Sequence, residues 1–286
     1  MAKVGIIGGS GLYQMEGLDK VNEVSLLTPY GEPSSNFVTG QISGVDVVFL
    51  ARHGKGHKIS PSEINFRANI FGLKKLGVDA IISVSACGSL KEEIKPMDFV
   101  VPDQFVDWTK GKRADTFFTG GIVAHVPMAH PVSPEIRKIL IETARELKLT
   151  VHDGGTYLNM EGPQFSTLAE SNLYRSWGMS IIGMTNVTEA KLAREAEISY
   201  ATLAAVTDYD CWHPSHDSVT IDMILDYLHK NVGNAQKILK AAIAKVGRLT
   251  TFSAQDALKY SIVTAADIVP ELKKKELAPI IGKYIK

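Results

Sequence analysis

The chain has 286 residues, enough for one large α/β domain or two small ones. Basic and acidic residues number 31 each, so the net charge is zero, which argues against a general nucleic-acid binder with its usual basic excess. No apolar run reaches about 18 residues, so we expect no membrane span. The two cysteines lie far apart, provide neither a disulfide framework nor a metal motif, and fit a reducing cytoplasm.

Short apolar runs alternate with amphipathic segments along the chain. The apolar runs, which predict buried strands, cover residues 3–7, 46–51, 79–86, 99–102, 180–184 and 199–206. Helix-start signals occur at Ser60-Pro61, with a helix reaching about Leu76, at Ser133-Pro134, and at Thr167 with Glu170 in a capping box; a long amphipathic pattern spans 218–247. This alternation predicts an α/β fold with a largely parallel sheet.

Nothing in the composition divides the chain into separate domains. No Pro-, Ser- or Gly-rich linker and no internal repeat is present, so we expect a single domain. Within it, residues 1–248 carry the strand and helix pattern, residues 107–132 form a loop rich in glycine, histidine and proline, and residues 249–286 form a C-terminal helical extension.

The predicted strands end in unusual polar or glycine-rich segments. These are "GGSG" (8–11), "RHG" (52–54), "SACGS" (85–89), "MTN" (184–186) and "TDYD" (207–210). Open α/β sheets bind ligands beside the carboxyl ends of their strands. The convergence of five such ends at one edge of the sheet is the strongest indication of a small-molecule site.

The glycine turn and the arginine after the second predicted strand suit an anion. "GIIGGSGL" lacks the third glycine of a dinucleotide fingerprint and the lysine of a Walker loop, which leaves an anion nest with Ser10, or simply a tight turn. Arg52 follows a buried strand and needs an anionic partner, either a salt bridge or a phosphate that His53 also contacts. The hydroxyls of Ser85 and Thr185 favour free phosphate.

Asp208 and Asp210 straddle Tyr209 at the last strand end. A continuing strand would point both carboxylates to the same side. A metal site, for which His213 and His216 would be needed, is less favoured, and a glycosidase pair or an Asx-type turn remains open. Adjacent carboxylates suit one flat ligand such as adenine, which offers donors at N6 and, once protonated, at N7.

The segment "NMEGPQFST" (159–167) precedes a predicted helix and adds two further side chains of interest. Glu161 has the surroundings of a buried carboxylate. Phe165 suits stacking on a base, although a single phenylalanine belongs more often to a hydrophobic core.

Together these segments resemble the S-methyl-5′-thioadenosine phosphorylases, within the trimeric purine nucleoside phosphorylase superfamily. The matching strings, in fixed order from residue 4 to about 248, are "GIIGGSGL", "LARHGKGHKISPSEINFRAN", "SACGSL", "DQFVDWT", "HVPMAHP", "EGPQFST", "MTNVTEAKLAREAEISYA" and "TDYDCW". The resemblance implies a single α/β domain around a twisted mixed sheet flanked by helices, and a homotrimer. It also implies reversible phosphorolysis of methylthioadenosine to adenine and 5-methylthioribose-1-phosphate, with phosphate as co-substrate and no metal or organic cofactor.

The resemblance also assigns roles to single residues. The phosphate-binding positions fall on Ser10, Arg52, His53, Ser85, Ala86 through its backbone, and Thr185. Met184 falls against the ribose, Phe165 at the base-stacking position, Asp208 at N7 and Asp210 at N6 of adenine. His125 falls where a neighbouring subunit reaches the 5′ end of the nucleoside, and Ile221 would line the apolar 5′-methylthio pocket.

Four residues depart from the common pattern of the family. Ser10 and Ser85 stand where threonine is common, which preserves the hydroxyl chemistry. Gln164 occupies a position that is arginine in some members, and Ile221 replaces a commoner valine, which narrows the expected 5′ pocket.

A mechanism follows from these assignments. Phosphate needs positioning rather than deprotonation, and Arg52 with the hydroxyls would hold it below C1′. Asp208, with a pKa raised by burial, would protonate N7 of the leaving adenine, and Asp210 would support N6. Asp208 therefore favours 6-aminopurines, since superfamily members that prefer 6-oxopurines carry asparagine there.

Three other functions compete with this interpretation. A purine nucleoside phosphorylase would use adenosine, inosine or methylthioinosine more broadly. A non-catalytic nucleotide- or SAM-binding module would need an acidic residue at the end of the second strand, where Arg52 and His53 stand. A hydrolase would release the base without phosphate.

Overall fold

The computed structural model describes residues 1–9, 17–214 and 221–285 of the chain. In these residues the strands are β1 (Val4–Gly8), β2 (Leu18–Val24), β3 (Phe37–Ile42), β4 (Val45–Ala51), β5 (Ala80–Ser89), β6 (Phe99–Val101), β7 (Gln104–Trp108), β8 (Val151–Asp153), β9 (Thr156–Met160), β10 (Ile181–Gly183) and β11 (Ser199–Asp208). The helices are α1 (Phe66–Lys75), α2 (Pro134–Glu146), α3 (Leu168–Ser176), α4 (Asn186–Glu195), α5 (Ile221–Val246), α6 (Glu271–Glu276) and α7 (Ala278–Ile281).

The strands form one mixed sheet. Its main path runs β2-β3-β4-β1-β5-β10-β9-β7, while β11 pairs with both β5 and β6, and β8 pairs with β6. The central pairs β4–β1, β1–β5 and β5–β11 are parallel, and antiparallel pairs include β2–β3, β3–β4 and β5–β10. Every residue of β1 and β11 is buried, which explains their near-continuous apolar sequence. The predicted α/β class with a mixed, largely parallel sheet is confirmed.

Helices cover both faces of this sheet. Val4 and Ile6 of β1 pack with buried residues of α2 and α5 in one core cluster, whereas Ile7 belongs to a second cluster with α1, α4 and α7. This alternation follows from the two-residue period of a strand. No helix in the described part of the chain is both long and apolar enough to cross a membrane.

Two of the predicted helix starts are confirmed. The Ser133 hydroxyl accepts a hydrogen bond from the Ile136 backbone N–H at the start of α2. At the start of α3, Thr167 and Glu170 form a complete capping box, in which each side chain accepts from the backbone N–H of the other residue. These local contacts satisfy donors that the first helical turn leaves unpaired, which is why the sequence reveals them.

The predicted helix start at Ser60-Pro61 is wrong. Helix α1 begins at Phe66, and Asn65 caps it by accepting from the Ala68 N–H. Ser60 does bond to the Glu63 carboxylate through both its backbone N–H and its hydroxyl, as in a capping box, but these bonds close an isolated turn. The Ser60 and Glu63 side chains therefore form the local contact that the sequence indicates, but no helix follows from it.

The segment after α5 packs back on the domain. Ile280 and Ile281 of α7 are buried in the second core cluster. Ile262 forms a β-bridge with Ala124, and the Val263 N–H donates to the Val123 carbonyl at 2.9 Å. These contacts fix the middle of the 107–132 loop against the C-terminal segment.

Candidate active site

The carboxyl ends of β1, β4 and β10 meet beside the middle of β5, around the start of α4. Arg52, directly after β4, donates from Nη1 to the Val84 carbonyl in β5 at 2.8 Å. Asn186, the first residue of α4 after β10, donates from Nδ2 to the Ser83 hydroxyl in β5 at 3.1 Å. The Arg52 N–H also bonds to the last residue of β1. Ser10, predicted at this edge, lies outside the described residues.

Arg52 is a buried cation that is already paired with a carboxylate. Its Nε and Nη2 groups donate to the two Glu189 carboxylate oxygens at 2.7 and 3.0 Å, and Nη2 also donates to Ser83. Burial opposes the charge, yet the ion pair raises the pKa of the guanidinium above its ordinary value. With the bond to Val84, four of the five guanidinium N–H groups have partners among the described residues.

His53 is neutral, and its tautomer is fixed by the backbone. Nδ1 lies 2.8 Å from the Ile59 carbonyl, which can only accept, so Nδ1 carries the proton. Burial and the adjacent Arg52 lower the pKa of His53 to about 4. The ring stacks on His57 at a centroid distance of 4.2 Å. At neutral pH the remaining nitrogen, Nε2, is therefore a hydrogen-bond acceptor.

Buried hydroxyl groups and a helix N-terminus lie beside the arginine. The Ser85 Oγ is buried and has no hydrogen-bond partner among the residues described. Thr185 occupies the N-cap position of α4, is 4% exposed, and does not cap the helix with its side chain. Ala86 follows Ser85 in β5 and is half-buried. Unpaired donors at a helix N-terminus suit an anion.

The aspartate pair forms a turn after β11. The Asp208 Oδ1 accepts from the Asp210 backbone N–H at 2.8 Å, and Oδ2 accepts from the Thr207 hydroxyl at 2.7 Å. The strand β11 ends at Asp208, and Asp210 has a φ of 53°, in the left-handed region. The expectation of two carboxylates on one face of a continuing strand is therefore wrong, and the Asx-type turn that was an alternative is present.

A glycine in β5 makes room for this turn. A β-carbon at Gly88 would lie 2.7 Å from the Asp208 Oδ1 and 3.3 Å from the Asp210 nitrogen. Any side chain there would push the carboxylate away. Gly88 in "SACGS" thus places Asp208 against the end of β5, next to the hydroxyl-bearing segment.

Both aspartates are buried, and burial raises the pKa of each. The pKa of Asp208 rises to about 6 although two hydrogen bonds favour its ionised form. For Asp210 the pKa is also raised, and its Oδ2 has no partner in the described part of the chain. The Asp208 carboxyl is thus poised to exchange a proton near neutral pH, and one oxygen of Asp210 can accept a further hydrogen bond.

The residues predicted to contact the base and the ribose, Phe165 and Met184, lie on neighbouring segments. The Cys211 thiol donates to the Ser166 carbonyl at 3.4 Å, which brings the segment containing Phe165 beside the aspartate turn. Phe165 is 40% exposed. Met184 follows β10, and its carbonyl accepts a bond from Arg113.

The predicted 5′-pocket residues are only partly described. His125 is exposed, and its backbone N–H donates to the Ser261 carbonyl at 2.8 Å. Ile221 begins α5, but its side chain lies outside the described residues. His213 pairs with Glu92, and the described residues contain no group of three or more His, Cys, Asp or Glu that could hold a metal ion.

Comparison with known proteins identifies the family. A model of the phosphorylase superfamily matches residues 3–244. The chain belongs to the phosphorylase superfamily. An S-methyl-5′-thioadenosine phosphorylase of Thermosynechococcus vestitus is 57% identical to it over 99% of each chain.

Solved structures agree with this assignment. A methylthioadenosine phosphorylase from an antarctic soil metagenomic library has 50% identity and a TM-score of 0.93 over 98% of each chain. A methylthioadenosine phosphorylase from Schistosoma mansoni, in complex with adenine, has 41% identity and a TM-score of 0.85 over 91% of this chain and 96% of its own.

Three polar residues of this phosphorylase were missed by sequence reasoning. Glu189 pairs with Arg52, and Asn186 donates to the hydroxyls of β5 and β11, including Thr202 at 2.9 Å. Arg113 donates from Nε to the Glu161 carboxylate at 2.9 Å. The sequence indicated that a buried Arg52 needs an anionic partner, but it did not indicate that Glu189 is this partner.

Proposed function

We propose that the protein catalyses the reversible phosphorolysis of S-methyl-5′-thioadenosine to adenine and 5-methylthioribose-1-phosphate. The observation that carries this proposal is the buried Asp208–Asp210 turn at the same sheet edge as Arg52 and the Ser85 hydroxyl. A purine has polar groups that such a turn can bind, and phosphate has oxygens that the arginine and hydroxyls can bind. The substrate class named for its relatives supports the same reaction.

The phosphate site would use the groups that the protein leaves available. Among the described residues, the Ser85 hydroxyl has no partner and one Arg52 N–H is left unpaired, and the start of α4 contributes the partial positive charge of its helix dipole. His53 would accept a bond from the P–OH group of hydrogenphosphate, since Nδ1 is its protonated nitrogen. The proposed phosphate-binding residues are Ser10, Arg52, His53, Ser85, Ala86 through its backbone, and Thr185.

The nucleoside would lie between this phosphate and the aspartate turn. As the N-glycosidic bond lengthens, positive charge develops on the ribose and negative charge on the adenine. The raised pKa of Asp208 supports its role as the acid that protonates N7, and the Asp210 Oδ2, which has no partner among the described residues, supports acceptance of a bond from N6. Phe165 would stack on the base and Met184 would contact the ribose.

The 5′ end of the nucleoside is proposed to lie at a subunit interface of a homotrimer. Exposed apolar side chains surround the His125 backbone: Val123 is 46%, Val263 65% and Tyr260 89% exposed. Such a cluster suits burial against another copy of the chain. His125 would then reach the 5′ pocket of a neighbour, with Ile221 as an apolar lining residue.

Three broader features complete the proposal. Inorganic phosphate is a co-substrate, and the reaction needs no metal or organic cofactor. A cytoplasmic location is supported by two free thiols, Cys87 and Cys211. Residues 249–286 would be an extension of the phosphorylase domain formed by residues 1–248.

Base release from four nucleosides, with and without phosphate, tests this proposal. We expect adenine release from methylthioadenosine only when phosphate is present, slower release from adenosine, and little from inosine or methylthioinosine. Comparable use of all four would instead indicate a broad purine nucleoside phosphorylase. Release without phosphate would indicate a hydrolase, and no release under either condition would indicate a binding module.

A further inference from the structure

Two buried arginines lie at the proposed site, and each is paired with a glutamate. Arg52 and Glu189 are 3% and 2% exposed and form two hydrogen bonds. Arg113 and Glu161, 3% and 12% exposed, form a second pair, and Arg113 also binds the carbonyl of Met184. Each arginine therefore carries its countercharge before any substrate arrives.

The other groups of the proposed phosphate site add no full positive charge. His53 is neutral because its pKa is about 4. Ser85 and Thr185 contribute hydroxyl groups, and the N-terminus of α4 contributes only the partial charge of a helix dipole. The described part of the site would therefore bind phosphate mainly through hydrogen bonds.

The Glu189 side chain is held in place by several donors besides Arg52. The hydroxyls of Ser83 and Tyr200 donate to its Oε2 at 2.8 and 2.9 Å. Both hydroxyls also lie within hydrogen-bond distance of the Asn186 side-chain amide. A side chain held by this many hydrogen bonds cannot swing away when an anion approaches Arg52.

We propose that Glu189 is a charge-balancing residue, which cancels the charge of Arg52 so that bound phosphate keeps its own negative charge. This inference rests on the proposed function. The reacting ribose becomes cationic, and an uncompensated phosphate next to it lowers the energy of that cation. A pocket with a net positive charge would hold phosphate more tightly in the ground state but oppose the ribosyl cation.

The substitution Glu189→Gln tests the sign of this effect. Gln keeps the size of the side chain and one acceptor for Arg52 but removes the countercharge. We expect inorganic phosphate, titrated calorimetrically into the nucleoside-free protein, to bind about tenfold more tightly than to wild type. We expect kcat for methylthioadenosine to fall about tenfold in the same variant. If Glu189 only positioned Arg52, the substitution would instead weaken phosphate binding.

Glu195→Gln is the matched control. Glu195 is a buried glutamate on the same helix, but it accepts bonds from Thr116 and the Phe117 N–H rather than from an arginine of the site. Its substitution is expected to leave both the phosphate affinity and kcat within about twofold of wild type, as for most changes away from a site.

If the Glu189→Gln variant does not fold, the pair of Arg113 and Glu161 provides the same test. Glu161→Gln removes the other countercharge at a more exposed carboxylate, and about threefold tighter phosphate binding is expected there. Unchanged or weaker phosphate binding in the folded variant overturns the inference. Failure of the wild-type protein to release adenine with phosphate would overturn the proposed function instead, so the two failures are distinguishable.

Discussion

Replacing Asp208 with asparagine is expected to lower turnover of methylthioadenosine by about 100-fold or more, the effect typical of a lost general acid. Asparagine keeps the shape and can still accept the backbone bond that Asp208 receives from Asp210. Its amide can donate to the Thr207 hydroxyl, which can turn toward the Cys87 carbonyl 3.3 Å away. The variant should therefore fold but be unable to protonate N7. Steady-state turnover at saturating phosphate measures the loss.

The pH dependence of stability separates this chemical loss from unfolding. The pKa of Asp208 is about 6 in the folded chain against an ordinary value of 3.8. The folded state therefore binds more protons than the unfolded state between these values, and wild-type stability falls as pH rises through this window. The asparagine side chain of the Asp208→Asn variant cannot titrate, whereas Asp210 still does, so the variant should show a smaller fall than wild type and be at least as stable at pH about 8.

Substrate preference gives a second test of the role of Asp208 as the acid. A 6-oxopurine has an acceptor where adenine has an amino group, and an asparagine amide can donate to it. The ratio of methylthioinosine to methylthioadenosine turnover should therefore rise in the Asp208→Asn variant. Near-wild-type turnover of methylthioadenosine by a folded variant would show that Asp208 is not the acid.

The sequence predicts the centre of the sheet better than its periphery, for a physical reason. Strands β1, β4, β5, β10 and β11 are buried on both faces or nearly so, and such strands appear as short apolar runs. The strand β2 is largely exposed and contains several polar residues, so no apolar run marks it. The strands β8 and β9 are short or mixed in polarity and were missed likewise.

Helix α4 was missed for the opposite reason. Eight of its ten residues are buried, including the polar Asn186, Thr188 and Glu189, so no polar face alternates with an apolar one. The side chains of Glu189 and Asn186 bond to β5 and β11, and the Val187 backbone N–H donates to Asn159 in β9; only the tertiary structure brings these partners near. The polar side chains of α4 beside the proposed phosphate site could therefore not be predicted from the sequence, although the strand ends at that site were predicted.

Removing the Arg52 guanidinium should damage both stability and phosphate use. The Arg52→Gln variant leaves the Glu189 carboxylate buried without its partner, and breaking a buried pair in this way costs about 3–5 kcal/mol of unfolding free energy. It also removes the proposed phosphate donor, so the KM for phosphate should rise about 100-fold. Because both effects lower activity, the single variant cannot separate them.

The double variant Arg52→Gln/Glu189→Gln separates stability from phosphate binding. Two neutral amides can bond to each other and leave no buried charge, so urea unfolding should recover most of the lost stability. No guanidinium is restored, so the KM for phosphate should remain about 100-fold above wild type, with the KM for methylthioadenosine changing much less. If phosphate use instead recovered together with stability, Arg52 would be a structural partner of Glu189 and not a ligand of phosphate.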